Sequence, residues 1–255
     1  MRVSDLRFLL ALVLPALTLL GMLTQPEYAF AFTLLIWGAI ALADAFLPPH
    51  SPPPLGETVN LAYFRGVLRL YVPLHVLLIA IGTLIAASAD WATVLGLAFS
   101  VGFVTGAQGI TFAHELGHSK SRVDRFLAWL LMSSVCYGHF MVEHYRGHHP
   151  RAATADDPAS APFGQSLYAF LPRTLLGSWR SAWQLEGTRI DKMKASWASS
   201  PLVWSCGASL ALLSLPILMN FSGLARVDTA QSAMKMVAFL AFQSSVAILL
   251  LETVN

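Results

Sequence analysis

Residues 114–149 read HELGHSKSRVDRFLAWLLMSSVCYGHFMVEHYRGHH. Six of the chain's eight histidines stand here, five of them in two runs: His114-Glu-Leu-Gly-His118 and Glu143-His-Tyr-Arg-Gly-His-His149. Between them lies an apolar segment, 126–142, whose path decides the fold. About 17–25 apolar residues suffice to cross a bilayer, so length alone leaves it ambiguous. If it crossed, the two histidine runs would face opposite compartments and could not share a site. The segment is therefore expected to be an interfacial or re-entrant helix, with both runs at one membrane face.

The rest of the chain fits a membrane setting. It has 255 residues, 56% hydrophobic and 12% charged, with mean hydropathy +0.61, against about 25% charged in soluble domains. A net charge of +2 with no basic stripe excludes a nucleic-acid surface. Cys136 and Cys206 lie in apolar stretches without metal-binding spacing and read as inert thiols. Six spans are expected, at about 8–23, 29–47, 67–87, 91–113, 202–221 and 233–251. The first is a membrane helix rather than a cleaved leader, since no small-residue cleavage site follows it. Pro48-Pro-His-Ser-Pro-Pro-Pro54 is expected to be a stiff linker carrying His50, and 55–66 a short interfacial piece. Ser88-Ala-Asp90 reads as a tight turn. With the N-terminus inside, the loop 114–200 faces the cytoplasm, and 14 of the 16 Lys and Arg residues fall on that side. The fold class is an all-α, polytopic membrane protein forming a single domain over 1–255.

His114 and His118 are spaced i, i+4, which stacks two imidazoles on one helix face. His144 and His148 repeat the spacing, and on an α-helix His149 points about 100° away from His148. Five imidazoles exceed the needs of one tetrahedral zinc, and two ions sharing the cluster is the economical account. Glu115 and Glu143 stand open as ligands, as acceptors that orient an imidazole N–H, or as a base, with the orienting role preferred. Asp157 has the same orienting role open to it beside a turn or cap. His139 and His75 read either as buried core histidines or as partners of the site. Arg146, Lys120 and Arg122 are expected to pair with acids or lipid head groups. Stepping back from His114 by helical spacing gives Ile110, Ala107 and Phe103, an apolar face leading into the bilayer and a candidate substrate channel. Gly102 and Gly106 form a small-xxx-small pair that favours close helix packing.

His-Glu-Leu-Gly-His is also the signature of zinc proteases, but such a protease has no use for the second run. The two histidine motifs in this order, with Tyr137–His149 and Asp157-Pro-Ala-Ser160, resemble the integral-membrane alkane 1-monooxygenase family. Phe170-Leu-Pro172, Ser181-Ala-Trp-Gln-Leu-Glu186 and the proline linker are similar too. Broader relatives are membrane fatty-acid desaturases and hydroxylases and the xylene monooxygenases. The resemblance implies six membrane helices, a cytoplasm-facing di-iron centre, and O2-dependent hydroxylation of a terminal alkane methyl. It implies electrons from rubredoxin, reduced by an NAD(P)H-dependent rubredoxin reductase, and placement in a bacterial inner membrane among lipids. It assigns His114, His118, His144, His148 and His149 as iron ligands, and makes Trp37 a candidate limit on chain length. The family also carries later histidine motifs that this sequence lacks. The chain is therefore expected to be an N-terminal fragment, inactive alone, with its remaining iron ligands beyond residue 255. Another membrane di-iron oxygenase and a non-catalytic metal-binding scaffold are the alternatives.

Overall fold

In the computed structural model, which describes residues 3–46, 61–222 and 230–254, the described residues form helices joined by turns, and no strand occurs among them. A 3-10 segment leads into α1 (Val13–Thr24). Then follow α2 (Ala29–Phe46) and α3 (Leu61–Ala86), and α4 runs continuously over Trp91–Gly117. Next come α5 (Arg122–Ser134), the short α6 (140–151) and α7 (Leu167–Met193). The last two helices are α8 (Pro201–Ser222) and α9 (Ala230–Val254). Among the described residues, five helices are long and apolar enough to cross a membrane: Pro26–Phe46, Leu61–Ala86, Trp91–Gly117, Pro201–Phe221 and Ala230–Thr253. Phe8–Thr24 is a shorter apolar helix at the position expected for the first span. The linker 48–54, with His50, lies outside the described residues.

α4 is the axis of the bundle: 72% of its most apolar window is buried, against 11% for α2 and 17% for α8. Asp90 starts it by accepting from Ala92 N (2.9 Å) and Thr93 N (3.1 Å), the capping a chain needs on leaving a turn. α9 packs along α4 at the expected glycine pair. A β-carbon at Gly102 would sit 2.5 Å from the Gln243 carbonyl oxygen, and one at Gly106 would sit 2.7 Å from Ala247 Cα. Close approach of this kind is how membrane helices gain packing energy without a hydrophobic driving force.

Two expected boundaries move. The third helix starts at Leu61, so 61–66 is part of it rather than a separate interfacial piece. The fourth helix ends at Gly117, not at 113, so His114 sits in its last turn. The deciding segment is broken in two. Rather than continuing as one helix, α5 stops at Ser134, where Cys136 takes a left-handed backbone (φ 57°), and α6 begins at Phe140. α5 is tied to α3 by an ion pair between buried Asp124 and half-exposed Arg69: Arg69 Nε donates to Asp124 Oδ1 at 2.7 Å, and Ser119 Oγ donates to Asp124 Oδ2 at 2.7 Å. This brings the second histidine run back to the end of α4 that carries the first.

Candidate metal centre

Four histidines meet where α4 ends and α6 begins. The ring nitrogens of His114, His118, His144 and His149 lie within 4.8 Å of one another. His114 and His118 face each other across one turn of α4, with their Nε2 atoms 3.0 Å apart. His144 and His149 make the same contact, Nε2 to Nε2 at 3.0 Å. The rings of His114 and His144 are 4.7 Å apart and those of His118 and His149 5.3 Å. Each pair therefore adjoins the other.

The second pair departs from the spacing expected of an α-helix. Residues 144–148 form a π turn, in which hydrogen bonds run from i to i+5. That wider turn brings His144 under His149, five residues on, instead of under His148. His148 leaves the four. Its ring stacks on His144 at 5.3 Å, and its Nδ1 shares a 2.8 Å hydrogen bond with Asp157 Oδ2. Asp157 also accepts from Ser160 Oγ (2.5 Å) and Ala159 N (3.0 Å), so it is at once a turn-former and an imidazole partner. Its carboxyl is pushed up by burial, but the hydrogen bonds from Ser160, Ala159 and His148 outweigh this and hold it below the usual range.

A clamp holds the π turn. Glu143, 2% exposed, accepts from His148 N at 3.2 Å and from Arg151 Nη2 at 2.6 Å. Arg151 Nε donates to Gly147 O (2.9 Å) and its Nη2 to Ser181 Oγ (2.7 Å), reaching α7. Only glycine fits at 147, because a β-carbon there would run into the Glu143 carboxylate and sit 2.5 Å from Arg151 Nη2. Beside the clamp, Arg146 Nη1 donates to Glu186 Oε2 of α7 at 2.8 Å, and Arg189 and Ser200 complete the coordination of that carboxylate. Arg189 first, then the Ser200 and Arg146 hydrogen bonds, pull Glu186 down to about 2 against its burial. Glu143 is thus not an imidazole acceptor as expected; its carboxylate fixes the backbone of the turn. Arg151, Ser181, Glu186 and Tyr145, whose hydroxyl donates to His114 O at 2.8 Å, were not singled out by spacing. The segment 181–186 does carry one of the family-like matches.

The first pair has less support. Glu115 Oε1 lies 3.3 Å from His114 Nδ1, as expected of an orienting acceptor, but its side chain is 59% exposed. His139 is buried between Tyr137 and Trp179 with neither ring nitrogen hydrogen-bonded to the protein, apart from the four. His75 is a satisfied core histidine, bonded to Tyr71 Oη (3.2 Å) and Ser134 Oγ (2.7 Å). The expected channel face is broken. Trp37 does pack on Phe103, with centroids 5.7 Å apart. Ala107 is exposed, however, while Ile110 is 1% exposed in the core. A second π segment, Thr105–Ile110, shifts the helical register between them.

The donor set fits a transition metal. Imidazole nitrogens suit zinc, copper, iron and nickel, and they bind in the neutral form. Burial, followed by the neighbouring imidazoles, pushes His144 down to about 3. Burial first, then His118 and His148, lowers His149 too. These rings are neutral at physiological pH. In a zinc protease the glutamate of the His-Glu-x-x-His motif serves the metal-bound water. Here Glu115 sits on the Nδ1 side of His114, while the pair's Nε2 atoms face each other.

Residues 89–254 match the sequence profile of the fatty acid desaturase family. Among curated proteins, the chain is 34% identical over 239 residues to alkane 1-monooxygenase 1 of Pseudomonas aeruginosa, covering 89% of this chain and 59% of that protein. It is 33% identical over 231 residues to alkane 1-monooxygenase 2 of the same organism, covering 86% and 58%. To alkane 1-monooxygenase of Acinetobacter baylyi it is 30% identical over 230 residues, covering 83% and 56%. The chain thus spans about half the length of the curated relatives it matches.

Proposed function

Because this integral membrane chain belongs to the fatty acid desaturase family, we propose that it forms the histidine-bearing part of an alkane 1-monooxygenase. The reaction is O2-dependent hydroxylation of the terminal methyl of a medium- or long-chain n-alkane to a 1-alkanol. The observation that carries this reading is the convergence of four imidazoles at one end of a bundle of apolar helices, in a chain similar to proteins named for that activity. Two iron ions would be held by His114, His118, His144, His149 and His148. Bound iron supplies the oxidising power, which no side chain has. The chain's own work is to hold the imidazoles convergent, to fix the backbone of the second run through Glu143 and Arg151, and to orient His148 through Asp157. Electrons come from rubredoxin and its NAD(P)H-dependent reductase. The site faces the cytoplasm of a bacterial inner membrane, in keeping with the weight of basic residues on that side.

The test uses the full gene product, iron-loaded in membranes, with rubredoxin, its reductase, NADH, O2 and a series of n-alkanes. 1-Alkanol formation that depends on iron and on rubredoxin is the expected result. A protein that holds iron yet yields no alkanol from any alkane contradicts the reading. One zinc per chain with no iron revives the protease alternative.

A further inference from the structure

Between α3, α5, α8 and α9 lies a cavity of about 440 Å3, within the range of roughly 300–1,000 Å3 common for ligand pockets. Val76, Ala80 and Leu84 of α3 form one wall, and Ala208, Leu212 and Leu215 of α8 face them. Leu84 and Leu215 are also half-exposed on the outside of the bundle, so the cavity opens sideways toward lipid. It lies away from the histidines. α3 starts at their end, where Arg69 binds Asp124, and finishes at the turn where Lys235 of α9 donates to Ala89 O. Val76–Leu84 and Met236–Leu240 therefore occupy the far half of the bundle. α2, which carries Trp37, packs on α1 and α4, whereas α8 packs on α5 and α9.

The lining has three hydroxyl-bearing residues, and the protein already uses all three. Thr83 Oγ1 donates to Ile79 O (2.7 Å). Ser133 Oγ donates to Trp129 O (2.6 Å) and pairs with Ser205 Oγ. Ser134 Oγ donates to Leu131 O (2.6 Å), which leaves it to accept from His75 Nε2 (2.7 Å). His75 Nδ1 then accepts from Tyr71 Oη. With every donor committed, a polar head group placed here would lose its hydrogen bonds to water without replacement, a cost of several kcal/mol. A bare methylene chain loses nothing.

We infer that this cavity is a second hydrocarbon site, which takes a linear alkyl chain without a head group from the bilayer, on the side of the bundle opposite Trp37. It is a place of residence for the hydrocarbon, separate from the reacting end at the histidines. The inference draws only its choice of probe from the hydroxylase reading. Its test reads binding and needs no turnover, so the two fail separately.

The protein in phosphatidylcholine nanodiscs is irradiated with a diazirine-bearing n-alkane, and adducts are mapped by peptide mass spectrometry. Adducts are expected on 76–84 and 208–219, and excess n-dodecane should reduce them about fivefold or more. Dodecylphosphocholine, with the same chain and a head group, should not. Ala80→Phe and Ala208→Phe, each checked for intact helicity, should abolish these adducts, whereas Trp37→Ala should leave them unchanged. Adducts confined to other helices would overturn the inference. So would labelling that survives both filling substitutions in folded protein, or equal displacement by dodecylphosphocholine, which would mark an ordinary lipid crevice.

Discussion

The two halves of the candidate centre are built differently. His114 and His118 sit one turn apart at the end of α4, and their one carboxylate neighbour, Glu115, is mostly in solvent. His144 and His149 sit five residues apart on a π turn that needs Glu143, Arg151, Gly147 and α7 to hold it. An α-helix presents i and i+4 together without help. A π turn is rare and is found mostly as a single turn at functional sites, and here buried charge stabilises it. The difference teaches that one wall of the site is held mainly by secondary structure and the other by a network of tertiary contacts, so the two should respond unequally to substitution.

The strongest contrast is expected at Glu143. Glu143→Ala leaves Arg151 without its carboxylate and the π turn without its anchor, and Gly147→Ala drives a methyl into the same space. Either should lower iron affinity by about 100-fold, the upper end for residues that support ligands, while the helix content stays unchanged. Iron retained against a chelator, followed with circular dichroism, checks this. Retention at the wild-type level would show that the His144–His149 pair forms without the clamp.

Glu186 gives the next largest effect, on stability. It is fully buried among Arg146, Arg189 and Ser200, and removing one partner of such a network costs about 3–5 kcal/mol. Glu186→Gln should show a loss of that order in denaturant unfolding. The pH dependence follows from the same carboxylate. Its folded value, about 2, lies below its ordinary 4.5. The stabilisation is therefore present above 4.5 and is lost as pH falls from there toward 2. The Glu186→Gln protein should lack that part of the acid destabilisation.

Much of this organisation is legible in the sequence, and what is not has a physical reason. Hydropathy places the helices because each must cover about 30 Å of hydrocarbon. The i, i+4 rule finds His114 and His118, and Gly102 and Gly106 announce the α4–α9 contact. The requirement that both histidine runs share a site agrees with the break in 126–142 between Ser134 and Phe140. The π turns are hidden, because a one-residue slip in a hydrogen-bond ladder has no composition of its own. That hides the pairing of His144 with His149. It also breaks the apolar stripe drawn through Phe103, Ala107 and Ile110. The clamp is hidden as well, because Glu143, Arg151 and Ser181 meet only when α7 folds against α6.

Two smaller effects complete the contrast. Asp157→Asn keeps the shape but not the charge behind His148, and a loss of about 10-fold in iron affinity is expected. A loss as large as that of Glu143→Ala would move His148 to the heart of the site. Glu115→Gln should change iron affinity by no more than about twofold, since exposed pairs contribute roughly 0–1 kcal/mol. A tenfold loss there would mean that the first pair depends on its carboxylate as much as the second depends on its clamp.

The central claim is that the two pairs make one metal site, with His149 rather than His148 as the mate of His144. Metal content per chain, measured by mass spectrometry on protein purified from membranes after iron loading, tests it directly. His118→Ala and His149→Ala should each empty the site to a similar degree, one from each half, with iron as the metal held by the unaltered protein. If His149→Ala keeps its full iron while His118→Ala loses it, the two halves are separate and the account is wrong.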